Sequence, residues 1–268
     1  MEYRWKLSPP PDEVRVRKLA EALGVPTIIG AILVNRGIDT FEAAKNYFRP
    51  SLDLLHDPFL MDGMGTAVGR VSGAIERHES ILVFGDYDVD GTNGAAMLYL
   101  VLKSLGASVF FHIPDRFKEG YGISKAGIDR AHELRARLLV AVDCGITAVD
   151  QVEYARSLEI DVVVCDHHEP SEKLPNAYAV LDPLKPSCKY PFKHLSGCGV
   201  AFKLLQGLAR YFGRDDLPYD YLDFVSLAST ADIVPLTDEN RVLVKLGLDQ
   251  INLNPRPGIR ALIEGSGL

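Results

Sequence analysis

Residues 165–170 read Cys-Asp-His-His-Glu-Pro, an acid and two adjacent histidines directly behind the apolar run Ile-Asp-Val-Val-Val. Imidazole beside carboxylate is a ligand set for a divalent cation; the competing reading is a polar turn closing a buried strand. A second stretch, Gly-Asp-Tyr-Asp-Val-Asp-Gly-Thr-Asn-Gly at 85–94, carries Asp86, Asp88 and Asp90 at alternate positions. Read as a calcium loop from Asp86, it would need Glu at its twelfth position, where Met97 stands, and a preceding helix that is not indicated. No Gly-x4-Gly-Lys-Ser/Thr phosphate loop occurs either. What remains is a carboxylate set for hard cations, with Thr92 or Asn93 expected to cap the following helix. Neighbouring side chains in a turn diverge, so His167 and His168 are expected to divide their work, one on metal and one facing substrate. Imidazole among several carboxylates suits manganese, and less well magnesium alone.

These residues need elements to hold them. From residue 81 short apolar runs (81–85, 107–113, 138–142, 161–165, 177–181) alternate with helical stretches near 93–104, 124–136 and 147–157. Continuous apolar strands separated by helices predict an α/β fold, a mostly parallel sheet covered by helices on both faces. Asp86, Asp143, Asp166 and Asp182 each follow a strand, and ligands of such sheets bind beyond the carboxyl ends of the strands. Helical patterns at 13–23, 27–36, 40–47 and 66–78 predict an N-terminal lead over 1–80, packed on a core domain spanning 81–268. Further helices near 198–212, 219–231 and 240–251 form a C-terminal flank.

Bulk properties fit an ordinary globular core, with 47% hydrophobic and 24% charged residues. The formal charge of −7 argues against broad electrostatic binding of nucleic acid, but two bound divalent cations would reduce it to −3 (−7 + 4). No apolar run reaches the roughly 18 residues of a membrane span, and the first residues lack the basic start and apolar stretch of a signal peptide. Cys144, Cys165, Cys188 and Cys198 show no Cys-x-x-Cys spacing, so reduced, buried thiols and a cytoplasmic location without membrane partners are expected. His112 and His132 read as structural or exposed, Arg15–Lys18 as a solvated helix face, and the glycines of Leu-Ser-Gly-Cys-Gly-Val as close approach to a phosphate or tight helix packing.

Asp-Tyr-Asp-Val-Asp-Gly (86–91), Val-Asp-Cys-Gly (142–145), Asp-His-His-Glu-Pro (166–170) and Ala-Asp-Ile-Val-Pro-Leu (231–236) resemble the successive motifs of the DHH phosphoesterase superfamily. Within it, Pro-Asp-Arg-Phe-Lys-Glu-Gly-Tyr-Gly (114–122), residues 195–205 and the lead Arg-Trp-Lys-Leu (4–7) are similar to the RecJ-type single-strand-specific exonucleases. The resemblance implies that Asp88, Asp90, His167 and Asp232 are metal ligands and that Asp143 bridges two ions, manganese with magnesium as the alternative. It implies that His168 contacts the scissile phosphate, that Asp166 orients its neighbours from outside the ligand set, and that Asp86 lies close by. Arg116 and Tyr121 match a loop along the incoming strand. The implied activity is two-metal hydrolysis of single-stranded DNA from its 5′ end, releasing nucleoside 5′-monophosphates in DNA repair and recombination. The alternative is cleavage of short oligonucleotides or cyclic dinucleotides. Such enzymes also carry DHHA1 and OB-fold domains that nothing here matches, so a catalytic-core fragment is expected. Single-strand-binding protein and a helicase would be partners through those other regions.

Overall fold

The computed structural model describes Arg4, Lys6 and residues 9–267; Trp5 and Leu7 of the lead motif lie outside the described residues. The chain divides into two units, Met1–Leu54 and Leu55–Leu268. In the first, helices α1 (Glu13–Leu23), α2 (Thr27–Asn35) and α3 (Phe41–Phe48) gather Leu19, Leu33 and Ala44 into a small apolar cluster. Asp12 and Thr40 cap α1 and α3 by accepting backbone N–H bonds that would otherwise go unmade.

Residues 55–80, which the sequence assigns to the N-terminal lead, fall in the second unit. There α4 (Met64–Glu76) packs with the rest of the α/β fold: β1 (Ser80–Gly85), α5 (Val89–Ser104), β2 (Ser108–His112), α6 (Lys125–Glu133), β3 (Ala136–Val142), α7 (Val149–Ser157), β4 (Asp161–Cys165), β5 (Ala179–Leu181) and α8 (Gly197–Tyr211). α9 (Leu222–Ala231), α10 (Asp238–Leu253) and α11 (Pro257–Ser266) follow. All four strand pairings are parallel, in the order β2-β1-β3-β4-β5. Leu82, Phe84, Leu139, Ala141, Val162 and Val164 form one core with Ile128 and Ala131 of α6 and Val152 and Ala155 of α7. Strand side chains alternate, so the intervening residues face the opposite layer, where α4, α5 and α8 lie. The expected α/β architecture is therefore the one observed.

Two local differences have physical causes. The run 107–113 has the apolarity of a central strand, yet β2 is an edge strand, with Phe110 and Phe111 exposed at 38% and 62%. Apolarity reports burial tendency and carries no information on strand order. The helix expected from 219 starts at Leu222, because Pro218 opens a 3-10 turn over Leu217–Tyr221 instead.

The chain leaves β1 to pair β2 on one side and returns to place β3 on the other. That reversal between β1 and β3 is a topological switch point, where a crevice opens beyond the strand ends. Strand register then sets the acids in a row. Gly85 pairs with Val142, Val142 with Cys165, and Cys165 with Leu181, so the residues that follow (Asp86, Asp143, Asp166 and Asp182) stand one strand apart. The ladder continues through them: Asp86 N–H donates to Val142 O (3.3 Å), Asp143 N–H to Cys165 O (2.9 Å) and Asp166 N–H to Leu181 O (2.9 Å).

Candidate metal centre

Asp88 and Asp90 enter the crevice from the start of α5. The N-cap of that helix is Asp88 rather than Thr92 or Asn93, for its carboxylate accepts the Gly91 N–H at 3.0 Å. Thr92 and Asn93 instead donate back to the carbonyls of Asp88 and Val89, at 2.6 and 2.7 Å. Gly91 is required there: a Cβ would stand 2.5 Å from the Asp86 backbone nitrogen. This close nesting of helix on strand end aims Asp86, Asp88 and Asp90 at one crevice.

Asp90 is buried, and its two oxygens accept the Gly197 and Cys198 N–H groups at 2.7 and 2.8 Å. The N-terminus of α8 thus holds a carboxylate of the chain itself, where anionic charge is favoured. Its glycines serve packing as well, since a Cβ on Gly197 would lie 2.6 Å from the Asp143 Cα. Asp143 adopts a left-handed backbone (φ 62), a conformation unfavourable for a non-glycine residue and frequent at functional positions.

His167 is the pivot of the cluster. Its Nε2 lies 3.2 Å from Asp143 Oδ1, 3.7 Å from Asp90 Oδ2 and 3.7 Å from Asp232 Oδ2. That nitrogen is buried without a hydrogen-bond partner. A buried imidazole nitrogen facing three carboxylates at such distances fits a cation between them. Three-residue groupings able to hold an ion recur around it: Asp90, His167 and Asp232; Asp86, Asp88 and Asp143; and Asp143, His167 and His168. The first two have no member in common; Asp143 belongs to the second and meets the first at His167 Nε2, 3.2 Å away.

Electrostatics agree with that reading. Burial, reinforced by the charges of Asp90 and Asp88, pushes the Asp143 carboxyl up to about 10. Burial also raises Asp90, Asp86 and Asp232 from their ordinary carboxylate value. Among the described residues no Lys or Arg pairs with these crowded acids, and metal ions would supply the balance.

Asp166 is the exception. Burial opposes its charge, yet the hydrogen bonds from His168 and the Ile146 N–H outweigh it and hold the carboxyl below the usual value. Its Oδ2 accepts from Ile146 N (2.8 Å), and its Oδ1 from His167 N (2.8 Å) and His168 Nδ1 (2.7 Å). With both oxygens engaged, Asp166 positions both histidines. An ionised acceptor fixes the proton on His168 Nδ1, turns Nε2 toward the crevice and raises the imidazole pKa through that same hydrogen bond. The Tyr121 hydroxyl, 3.1 Å from His168 Nε2 and 3.3 Å from Asp143 O, closes the second side.

The structure thus brings Asp86, Asp88, Asp90, Asp143, Asp166, His167, His168, Asp232 and Tyr121 together. Asp182 stays apart: it caps the following turn through Leu184 N (2.7 Å), and burial raises its carboxyl to about 7. Arg116 also stands outside the cluster, with its guanidinium 5.1 Å from the Tyr87 ring centroid. Tyr87 meets Tyr121 edge-on at 6.4 Å, and Tyr121 meets His168 at 5.7 Å, so an aromatic path joins Arg116 to the centre. Tyr87 was not singled out by sequence; its position between Asp86 and Asp88 is the one signal that could have marked it.

Comparison with known proteins agrees with the geometry. Over 266 residues the chain is 40% identical to the single-stranded-DNA-specific exonuclease RecJ of Bacillus subtilis, covering 99% of this chain and 33% of the relative. It is 37% identical to the Escherichia coli exonuclease of that name, over 90% of this chain and 43% of the relative. The chain therefore spans less than half the length of either. The structure of RecJ from Thermus thermophilus in complex with Mn2+ superposes with a TM-score of 0.82 at 32% identity, over 98% of this chain and 37% of that one. Residues 80–229, which contain every cluster residue except Asp232, match the DHH family, N-terminal domain, and the chain belongs to that family.

Proposed function

We propose that this chain is the catalytic part of a metal-dependent phosphodiesterase that hydrolyses single-stranded DNA from its 5′ end. The observation that carries this reading is the buried, unpartnered His167 Nε2 enclosed by Asp90, Asp143 and Asp232, beside a second carboxylate group at Asp88. Asp90, His167 and Asp232 would hold one divalent ion and Asp88 a second, with Asp143 shared; the oxygen-rich donor set with one imidazole suits manganese or magnesium. Such ions supply an activated water and charge stabilisation for phosphoryl transfer.

The chain's own groups do the rest. Asp143, fixed by its strained backbone and the glycine wall at Gly197, presents its carboxylate to both positions. His168, protonated on Nδ1 and held by Asp166, offers Nε2–H to a phosphate oxygen when charged. A preorganised donor of this kind is worth about 3 kcal/mol in a transition state. The Tyr121 hydroxyl, 3.1 Å from His168 Nε2, helps to hold that imidazole in place. A cytoplasmic location, and cooperation with a single-strand-binding protein and a helicase, belong to the same proposal.

The experiment is cleavage of 5′-labelled oligodeoxyribonucleotides in manganese by the parent and by Asp143→Asn. The parent releases mononucleotides from single strands, and the variant loses at least about two orders of magnitude in rate. Equal cleavage by the two proteins would remove Asp143 from the chemistry. Preference for a dinucleotide over a long strand would move the substrate to short oligonucleotides.

A further inference from the structure

The turn preceding Tyr121 presents a side chain that nothing so far uses. Phe117 is 95% exposed, the most exposed large apolar side chain among the described residues. It is flanked by Arg116 and Lys118, a basic–aromatic–basic triplet in a chain of net charge −7.

The turn is built rather than loose. Asp115 Oδ1 accepts the Phe117 and Lys118 N–H groups at 2.9 and 3.2 Å, and Asp115 O accepts the Glu119 N–H at 2.8 Å. Glu119 then anchors the base of the turn. Its Oε1 accepts the Asp115 N–H (2.9 Å), and its Oε2 takes the Ser124 hydroxyl (2.5 Å) and lies 3.0 Å from His112 Nε2. Ser124 caps α6, and His112 ends β2 and stacks on Phe84 at 5.3 Å, so the anchor reaches the sheet. From Arg116 the path Tyr87, Tyr121, His168 leads to the metal centre.

An apolar ring left in water on a well-ordered turn gains nothing from the fold that displays it. Arg116, over the Tyr87 ring, and Lys118, largely exposed with its ammonium 3.7 Å from Asp115 Oδ2, place cationic charge beside Phe117. Single strands are held by charge along the backbone and a ring under the base. We propose that Phe117 is a nucleobase-stacking residue, displayed by the Asp115–Glu119 turn to receive a base of the strand entering the metal centre. The inference rests on the polynucleotide reading above and adds to it a requirement for bases, not phosphates alone.

The test measures binding by fluorescence anisotropy in EDTA, which stops hydrolysis, using oligothymidylate and an abasic strand of equal length. Wild type favours oligothymidylate. Phe117→Ala weakens oligothymidylate binding roughly tenfold, the loss of one stacked base, and leaves the abasic strand unchanged; Phe117→Trp keeps the preference. Equal binding of both strands by wild type, or an alanine variant as tight as the parent on oligothymidylate, overturns the proposal while the nuclease reading stands. If wild type cuts no strand in manganese, the nuclease reading fails and this proposal falls with it.

Discussion

Two clusters of buried ionisable groups lie in the same α/β unit and are built on opposite plans. Lys203 and Glu239 are both fully buried, and the ammonium and both carboxylate oxygens are matched. The Lys203 ammonium donates to Glu239 Oε1 (2.5 Å), His56 O (2.9 Å) and Gln206 Oε1 (2.9 Å), three donors to three acceptors. Glu239 takes the His56 N–H and the Tyr190 hydroxyl besides, at 2.9 and 2.6 Å. Around His167 the charges are nearly all of one sign, and the central nitrogen has no partner. The first ion pair is matched within the protein; the second cluster is left with acids that divalent cations would balance. Burial of charge marks both, and only the unbalanced sign with an orphaned ligand atom separates function from framework. The framework also serves the site. Asn240, next to Glu239, donates to Pro235 O (3.1 Å) and His194 O (2.5 Å), which fixes the loop behind Asp232.

The contrast can be broken first at Lys203. Lys203→Met strands Glu239 as an uncompensated buried charge and lowers stability by about 3–5 kcal/mol in urea unfolding, with or without manganese. The mirror experiment, Asp143→Asn in EDTA, removes a carboxyl whose ionisation burial and its acidic neighbours oppose, and raises Tm by about 2–4 °C, on the order of 1 kcal/mol. A fall in Tm would show that the acids are balanced within the protein. Next in size, Asp166→Asn loses the acceptor that orders both histidines. It lowers cleavage rate or metal affinity about 10–100-fold, and a near-normal rate would mean that His168 needs no orienting carboxylate.

The smallest effect is in pH. Asp143 is pushed up to about 10 from an ordinary 3.8, and Asp90, Asp86 and Asp232 are raised too. The folded protein therefore holds more protons than the unfolded chain between those values, and stability falls as pH rises through them. Stability contributed by these groups is complete below the ordinary carboxylate value and is lost on the way to the folded one. Cations bind the deprotonated ligands, so the difference between Tm in manganese and Tm in EDTA widens from about pH 5 to pH 8. A constant difference over that range would contradict the crowded-acid account.

Much of this arrangement was legible in the residues, for specific reasons. β1, β3 and β4 contain the apolar runs 81–85, 138–142 and 162–165, each followed directly by Asp, so both the strands and the row of acids beyond them could be read directly. Asp182 shows the limit of that logic: it too follows a strand, but Leu184 N takes its side chain into a turn. The identity of the helix cap was misread because Asp88 serves both as cap and as cluster member. The α8 N-terminus was open between phosphate and packing, since no local pattern reveals that its N–H groups meet Asp90, more than a hundred residues earlier. The last residues carry an unfinished helical pattern, and α11 forms there, with Pro257 as its start signal. Long-range pairings of this kind exist only after folding.

The central claim is that the acid-rich cluster holds two divalent cations sharing Asp143, and its most direct test is diffraction at the manganese edge from crystals grown in that ion. The account predicts two anomalous peaks per chain, one among Asp90, His167 and Asp232 and one beside Asp88, with Asp143 touching both. A single peak, or two peaks that leave Asp143 unligated, would contradict it.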